Sequence, residues 1–302
     1  MATTYNNLYM DIRQTLRRAG IEAATLEARE LMCFASGKTR SQLVRDGQLY
    51  VPPAIEERAR DLVCRHLAGE PVAYLIGEWE FYGLPLDISE SVLIPRPDTE
   101  TLVDHVVAWL RPLPECRVLD LCAGSGCIGL AIASQVPGAR VVLGELDEGA
   151  LRICRQNIRR NSLSGQVVSL KMDALSDPPP RLGDFDCLVC NPPYIPSGDI
   201  AGLDVSVRDY EPHLALDGGT DGLDFYRRLA GEAPARLVPG GALLMEMCAR
   251  TGGTVFSSWA DAQAVELPPV AQPIDPTLPL SMLAMACLLA DILLRRTKAM
   301  RR

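Results

Sequence analysis

Arg117-Val118-Leu119-Asp120-Leu121-Cys122-Ala123-Gly124-Ser125-Gly126-Cys127-Ile128-Gly129 is the stretch that decides the fold. A short apolar run ends in an acid and then in glycines, placed where a strand must turn sharply into a helix. Only a residue without a Cβ lets a ligand approach such a backbone closely. Four further runs have the same character: Arg140–Leu143, Val167–Leu170, Cys187–Cys190 and Ala242–Met245, separated by helix-like or loop segments. Continuous apolar runs suit strands buried on both faces of a parallel sheet. This half therefore predicts a doubly wound, Rossmann-like α/β domain with its ligand beyond the carboxyl ends of the strands.

Glu145 closes the second run, about 20 residues beyond the glycines, where an acid accepts hydrogen bonds from ribose hydroxyls. Glycines and acid together indicate a nucleoside cofactor. The glycines alone serve equally well as a plain strand-to-helix turn, and their spacing only partly matches a dinucleotide fingerprint. The fourth run, Asp186-Cys187-Leu188-Val189-Cys190, separates the possibilities because it leads into Asn191-Pro192-Pro193-Tyr194. Two successive prolines remove two backbone donors and fix φ, which predicts a rigid extended corner where the ligand site should lie.

Upstream, Tyr5 to Gly69 reads as helical, with Leu8, Ile12 and Leu16 on one stripe and Ile55, Ala59, Leu62, Val63, His66 and Leu67 on another. Thr25 and Thr39 are the expected N-caps, and Gly69-Glu70-Pro71 the expected stop. Trp79–Tyr82 and Leu84–Ile88 predict a hairpin around Gly83. Pro97-Asp98-Thr99-Glu100 opens a helix carrying Leu102, Val103, Val106, Val107 and Leu110. The expected organisation is a helical domain over 1–70, a hairpin connector over 71–96, the α/β domain over 97–247 and an atypical tail over 248–302.

Of 302 residues, 48% are hydrophobic, enough to fill the cores of about two domains. Lys and Arg total 30 against 38 for Asp and Glu, a formal charge of −8. That balance disfavours a broad phosphate-neutralising surface, so direct nucleic-acid binding is not expected. The ten cysteines, after a start that carries no secretory leader, read as reduced thiols and place the chain in the cytosol. Cys187 and Cys190 have CxxC spacing, but they lie in an apolar strand without a second ligand pair, so no metal site is expected. His66, His105 and His213 read as structural.

Further motifs add to this reading. Gly69-Glu70-Pro71-Val72-Ala73-Tyr74-Leu75-Ile76-Gly77, Glu80-Phe81-Tyr82-Gly83-Leu84, Leu93-Ile94-Pro95-Arg96-Pro97-Asp98-Thr99-Glu100 and Arg208-Asp209-Tyr210-Glu211-Pro212, together with the Asn-Pro-Pro-Tyr corner, resemble the release-factor glutamine methyltransferase (PrmC/HemK) family over residues 5 to 247. The resemblance implies a class I S-adenosylmethionine-dependent methyltransferase domain, with a helical N-terminal domain that docks peptide-chain release factors. It also implies methylation of the side-chain amide of the glutamine in their GGQ motif. Carried onto this sequence, Cys122, Ala123, Gly124, Ser125 and Gly126 line the methionine end of S-adenosylmethionine. Glu145 takes the ribose, and Asp173 and Ala174 border the adenine. Asn191, Pro192, Pro193 and Tyr194 hold the substrate amide, with Asn191, Pro192 and Tyr194 as the catalytic residues and Asn191 also touching the cofactor.

Arg96 and Glu100 are expected either to orient the hairpin or to cap a helix, Asp120 to hold the glycine loop, and Glu211 to bracket or stabilise the substrate loop. Three other readings stand beside the main one: a ribosomal-protein glutamine methyltransferase, a nucleic-acid amino-methyltransferase, and a non-catalytic binding protein. The last is motivated by the tail. After Glu246 the family pattern stops, and the proline-rich stretch Val270–Leu280 argues against a helix or a central strand there. A shifted reading frame or a replaced terminus is the expectation for this segment. Within it Leu278–Leu294 is apolar apart from Ser281 and Asp291 and holds Pro279, which predicts a partly buried helix rather than a membrane anchor.

Overall fold

The structure is a computed structural model that describes residues 2–176 and 179–247. The tail, with its expected helix, lies outside the described residues. Two compact units emerge: one comprises residues up to Glu78 together with Asp204–Tyr210, the other Trp79–Leu203 and the described residues from Glu211. No helix of the described residues is long and apolar enough to cross a membrane.

The first unit is helical. α1 (Tyr5–Arg18) starts at Thr4, whose side chain accepts from Asn7 N–H, and buries Tyr5, Leu8, Ile12 and Leu16. α2 (Ala24–Ser36) begins earlier than the sequence suggested. Its N-cap is Ala23, while Thr25 sits inside the first turn and accepts from Arg17 instead (3.2 Å). α3 (Arg40–Arg45) has the expected cap: Thr39 and Gln42 form a reciprocal capping box. α4 (Pro53–Leu67) carries Pro53 in its first turn, where a missing N–H costs nothing. A short α5 (Val72–Ile76) follows Pro71 and extends the helical unit beyond residue 70. His66 bridges α4 to Glu27 Oε2 (3.0 Å) and to the Glu70 carbonyl (2.8 Å), a structural use of the ring.

The second unit opens with a hairpin of β1 (Glu78–Phe81) and β2 (Leu84–Asp87), turned at Tyr82 and Gly83, both in the left-handed region. α6 (Thr99–Leu110) then leads into the sheet strands β3 (Cys116–Leu121), β4 (Ala139–Glu145), β5 (Val167–Lys171) and β6 (Phe185–Cys190). Between them run α7 (Cys127–Gln135) and α8 (Glu148–Arg160). The chain visits the first unit in α9 (Val205–Arg208), returns through α10 (Asp224–Glu232), and reaches β7 (Leu237–Met245).

All five strands are parallel, in the order β5-β4-β3-β6-β7. Leu119, Leu121, Leu188 and Cys190 face one core with Tyr226 and Leu229 of α10. Asp120 alternates to the opposite face and meets Gly129 of α7 (2.9 Å). Helices thus cover both faces of the central strands, which is why β3, β4 and β6 read as continuous apolar runs, whereas Val168 and Leu170 of the edge strand β5 are exposed. The strand order reverses between β3 and β6, and a crevice opens there at the carboxyl ends.

The close approach of α7 to the sheet rests on Gly129. A Cβ there would lie 2.3 Å from Leu143 Cδ2, 2.9 Å from Val141 Cγ1 and 3.0 Å from Asp120 Oδ2. Gly129→Ala is expected to destabilise the protein by about 1–3 kcal/mol through overpacking. A urea midpoint equal to that of the unsubstituted protein would refute the tight fit.

Candidate active site

A cavity of about 410 Å³ lies at the carboxyl ends of the strands, within the range of small-molecule sites. Its floor is the loop that follows β3. Cys122 has φ +54°, and Gly124 and Gly126 have φ +55° and +82°. This left-handed path turns the chain from strand to helix within five residues. A Cβ built on Gly124 meets nothing within 4 Å, so the floor is open to a ligand at that point. Gly126 instead sits against Leu143 (2.9 Å to a built Cβ) and forms the N-cap of α7.

Polar side chains hold this loop from three directions. Gly124 N–H donates to Glu145 Oε2 (2.8 Å), and Asp147 N–H donates to Glu145 Oε1 (2.9 Å), so one buried carboxylate ties the loops after β3 and β4 together. Asp147 in turn caps α8 by accepting from Ala150 N–H (2.8 Å). From below, Asp120 Oδ2 accepts from Gly129 N–H. Asp120 is fully buried, and that burial pushes its carboxyl up to about 8, the Gly129 bond opposing and the Glu145 charge adding.

The third support is Asn157 of α8, which the sequence reading missed. Its amide donates to the Ser125 carbonyl (2.9 Å) and the Asp87 carbonyl (3.1 Å), and its oxygen accepts from Asp87 N–H (2.6 Å). The glycine loop is thereby clamped to the hairpin. The only signal in the sequence is a lone Asn on an otherwise apolar stripe of Leu151, Cys154 and Ile158.

The walls gather residues far apart in sequence. Cys122, Ala123, Gly124, Ser125, Glu145, Asp173, Ala174, Asn191 and Pro193 all line the cavity. Of the other expected site residues, Gly126 lies at the head of α7, Pro192 is buried behind the corner, and Tyr194 is half-buried against the core under the sheet. Asp173 turns its carboxylate to its own loop, accepting from Leu175 N–H (2.9 Å) and the Ser176 hydroxyl (2.7 Å). Leu146, Leu175, Val92, Leu93, Leu214 and Phe225 supply apolar wall that was not expected. Their signal in the sequence is weak, because an apolar residue in a loop is ordinary.

Glu100 has the first of its two expected roles: its Oε1 accepts from Tyr82 N–H (2.8 Å) and so anchors the hairpin turn to α6. Cys187 and Cys190 are buried within β6, and burial pushes both thiols up, which makes them poor thiolate ligands.

Four carboxylates (Glu90, Glu145, Asp147 and Asp173) and one guanidinium (Arg96) line the cavity. That excess of negative charge suits a cationic ligand. Among the described residues the Asn191 side chain makes no hydrogen bond, nor does the Pro192 carbonyl. Two acceptors on one rigid corner, one of them in the cavity wall, are thus left available to a substrate's N–H groups.

Residues 7–77 match the family model described as the PrmC N-terminal domain, and residues 97–204 match the methyltransferase small domain. The chain is 41% identical to a protein of Geobacter sulfurreducens named release factor glutamine methyltransferase, over 82% of this chain and 85% of that one. A protein of the same name from Bradyrhizobium diazoefficiens is 40% identical over 85% and 86% of the two chains. One from Deinococcus radiodurans is 38% identical over 80% and 84%.

Proposed function

Because the chain belongs to the release factor glutamine methyltransferase family, we propose that it transfers a methyl group from S-adenosylmethionine to the side-chain amide nitrogen of the GGQ glutamine of a peptide-chain release factor. The observation that carries the reading is the Asn191–Pro192 corner. Among the described residues it leaves two acceptors without partners, Asn191 in the cavity wall and the Pro192 carbonyl next to it, on a cavity also lined by a glycine loop and an acid suited to a nucleoside. The open face over Gly124, the apolar slot at Leu146 and Leu175, and the carboxylate-rich wall fit S-adenosylmethionine in shape and charge. When bound, that cofactor supplies an electrophilic methyl on a sulfonium.

An amide nitrogen is a poor nucleophile because its lone pair is delocalised into the carbonyl. Asn191 Oδ1 and the Pro192 carbonyl each accept one amide N–H, which aims the lone pair at the methyl and stabilises the growing positive charge. Pro193 forms the wall beside them, while Tyr194, expected from the sequence beside the amide plane, packs against the core and supports the corner from behind. No charged base is required before transfer, since the alkylated amide loses its proton readily afterwards. Orientation carries the catalysis, an effect of up to about 7–11 kcal/mol in favourable cases. The helical unit docks the release factor, and a substrate of the translation machinery places the enzyme in the cytoplasm.

Transfer of labelled methyl from S-adenosylmethionine to a purified release factor tests the function. Label is expected on the intact factor and absent when the GGQ glutamine is replaced. Label that persists without that glutamine, or that goes to RNA or a ribosomal protein instead, overturns the assignment.

The cofactor site has its own test in Glu145→Gln. Both oxygens of Glu145 accept from backbone N–H groups, so the amide of Gln sets a donor against a donor at Gly124 or Asp147. Affinity for S-adenosylmethionine is expected to fall about tenfold or more, given about 1–3 kcal/mol for a buried donor left unmatched. Calorimetric titration giving an unchanged Kd would remove Glu145 from the site.

A further inference from the structure

Arg96 carries the single basic side chain among the described residues of the cavity wall, and its guanidinium pairs with Glu211 Oε1 across 115 residues of sequence. The two sides of this ion pair differ. Glu211 is 2% exposed at its side chain and Arg96 40%, so a buried carboxylate grips a guanidinium that still faces the cavity. Among the described residues no other side chain reaches Glu211 Oε2, and Arg96 is the counter-charge of this buried carboxylate. Burial pushes the Glu211 carboxyl up, with Arg96 and then the Ile94 backbone N–H opposing, and the same guanidinium acts on the buried Glu246 just past β7.

The pair also has a particular place in the chain. Glu211 is the residue at which the chain re-enters this unit after Asp204–Tyr210. Immediately beyond it, Pro212, Leu214 and Ala215 form part of the cavity wall. That wall is a single tight turn, held by Ala215 N–H to the Pro212 carbonyl (2.8 Å) and Leu216 N–H to the His213 carbonyl (3.0 Å). On its far side it is laced to the Asn-Pro-Pro-Tyr corner: Ile195 N–H donates to the Leu216 carbonyl (3.0 Å), and Gly218 N–H donates to the Ile195 carbonyl (2.9 Å). The turn is thus strung between two anchors, the Arg96–Glu211 pair at one end and the catalytic corner at the other.

We propose that Arg96 and Glu211 are a positioning pair for methyl transfer, setting the Pro212–Ala215 turn against the Leu93–Arg96 segment so that the peptide backbone flanking the substrate amide is held in register with Asn191. The proposal rests on the transfer reaction given above and adds to it the residues that shape the substrate side of the cavity. Neither side chain touches the reacting atoms. Their effect runs through the turn.

The test is a double-mutant cycle of Arg96→Gln, Glu211→Gln and the double variant, read in three ways. Each single variant and the double are expected to lose about 100-fold in kcat, the scale of a displacement of about 1 Å at a reacting centre, with affinity for S-adenosylmethionine within about twofold of the unsubstituted protein. Thermal stability is expected to recover in the double variant, where no buried charge is left unpaired, while kcat does not recover. Amide hydrogen exchange at Ala215, Leu216 and Asp217 is expected to quicken about tenfold in all three variants, with the strands unaffected.

Recovery of kcat together with stability in the double variant would make the pair merely structural and overturn the proposal, as would unchanged exchange at the turn. If the unsubstituted enzyme transfers no methyl to a release factor, the functional assignment fails on its own. The exchange measurement then decides the pair without reference to activity.

Discussion

Asn191→Ala is expected to slow methyl transfer about 10²–10³-fold in single-turnover measurements while leaving the Kd for S-adenosylmethionine nearly unchanged. The Asn191 side chain stands in the cavity wall with no hydrogen-bond partner among the described residues, so its removal unravels no internal network. What is lost is one of two acceptors that orient the substrate amide, an interaction strongest in the transition state. The prolines that follow keep the backbone in place, so the Pro192 carbonyl persists as the second acceptor and accounts for the residual rate. A rate within threefold of the unsubstituted enzyme would sink the proposed role. So would a loss of cofactor binding as large as the loss of rate.

Asp120→Asn is expected to make the protein more stable at pH 8 by a few kcal/mol and to change little near pH 4. The folded state holds the Asp120 carboxyl up to about 8 against an ordinary value of 3.8, chiefly through burial. Between those values the folded state binds more protons at this site than the unfolded chain. Its contribution to stability is therefore fully present below pH 4 and is lost as the pH rises towards 8. Asn stays neutral throughout and keeps an oxygen to accept from Gly129 N–H, the bond that seats α7. Urea unfolding at pH 5, 6.5 and 8 should give a falling midpoint for the Asp form, with a flatter line for Asn. Parallel lines for the two proteins would mean that Asp120 titrates normally. The arrangement places a costly buried carboxyl directly under the glycine loop that follows β3.

Secondary structure in the α/β half was legible because both-face burial writes a simple pattern. All five apolar runs from Arg117 to Met245 became parallel strands, each within a few residues of the expected ends. The largest discrepancy is β7, which starts at Leu237 rather than Ala242: Gly240 and Gly241 interrupt the apolar run where the pairing to β6 shifts register, and Leu237 pairs with Phe185 before that irregularity. In the helical unit, Thr39 is the cap that the sequence indicates, and Gln42 three residues on completes a capping box with it. Thr25 was misread. A hydroxyl before an apolar run looks alike whether it caps the helix or sits within its first turn, and here Thr25 sits within it and accepts from Arg17 of α1.

The sequence by itself determined the parallel sheet, the left-handed glycine turn after the first strand, the rigid Asn191–Tyr194 corner, and the acid of Glu145 at the end of the next strand. Each of these follows from local chemistry: continuous apolar burial, a missing Cβ, a fixed φ, a carboxylate at a strand end. Only the tertiary structure decided what holds them together. Asn157 clamping Ser125 to Asp87, Glu145 joining the two loops through both its oxygens, Arg96 meeting Glu211 beside the cavity and Asp120 buried beneath α7 are pairings between residues 2 to 115 positions apart. A polar side chain in sequence carries no record of its partner. Its donor or acceptor becomes specific only when folding removes water and leaves a single group within reach.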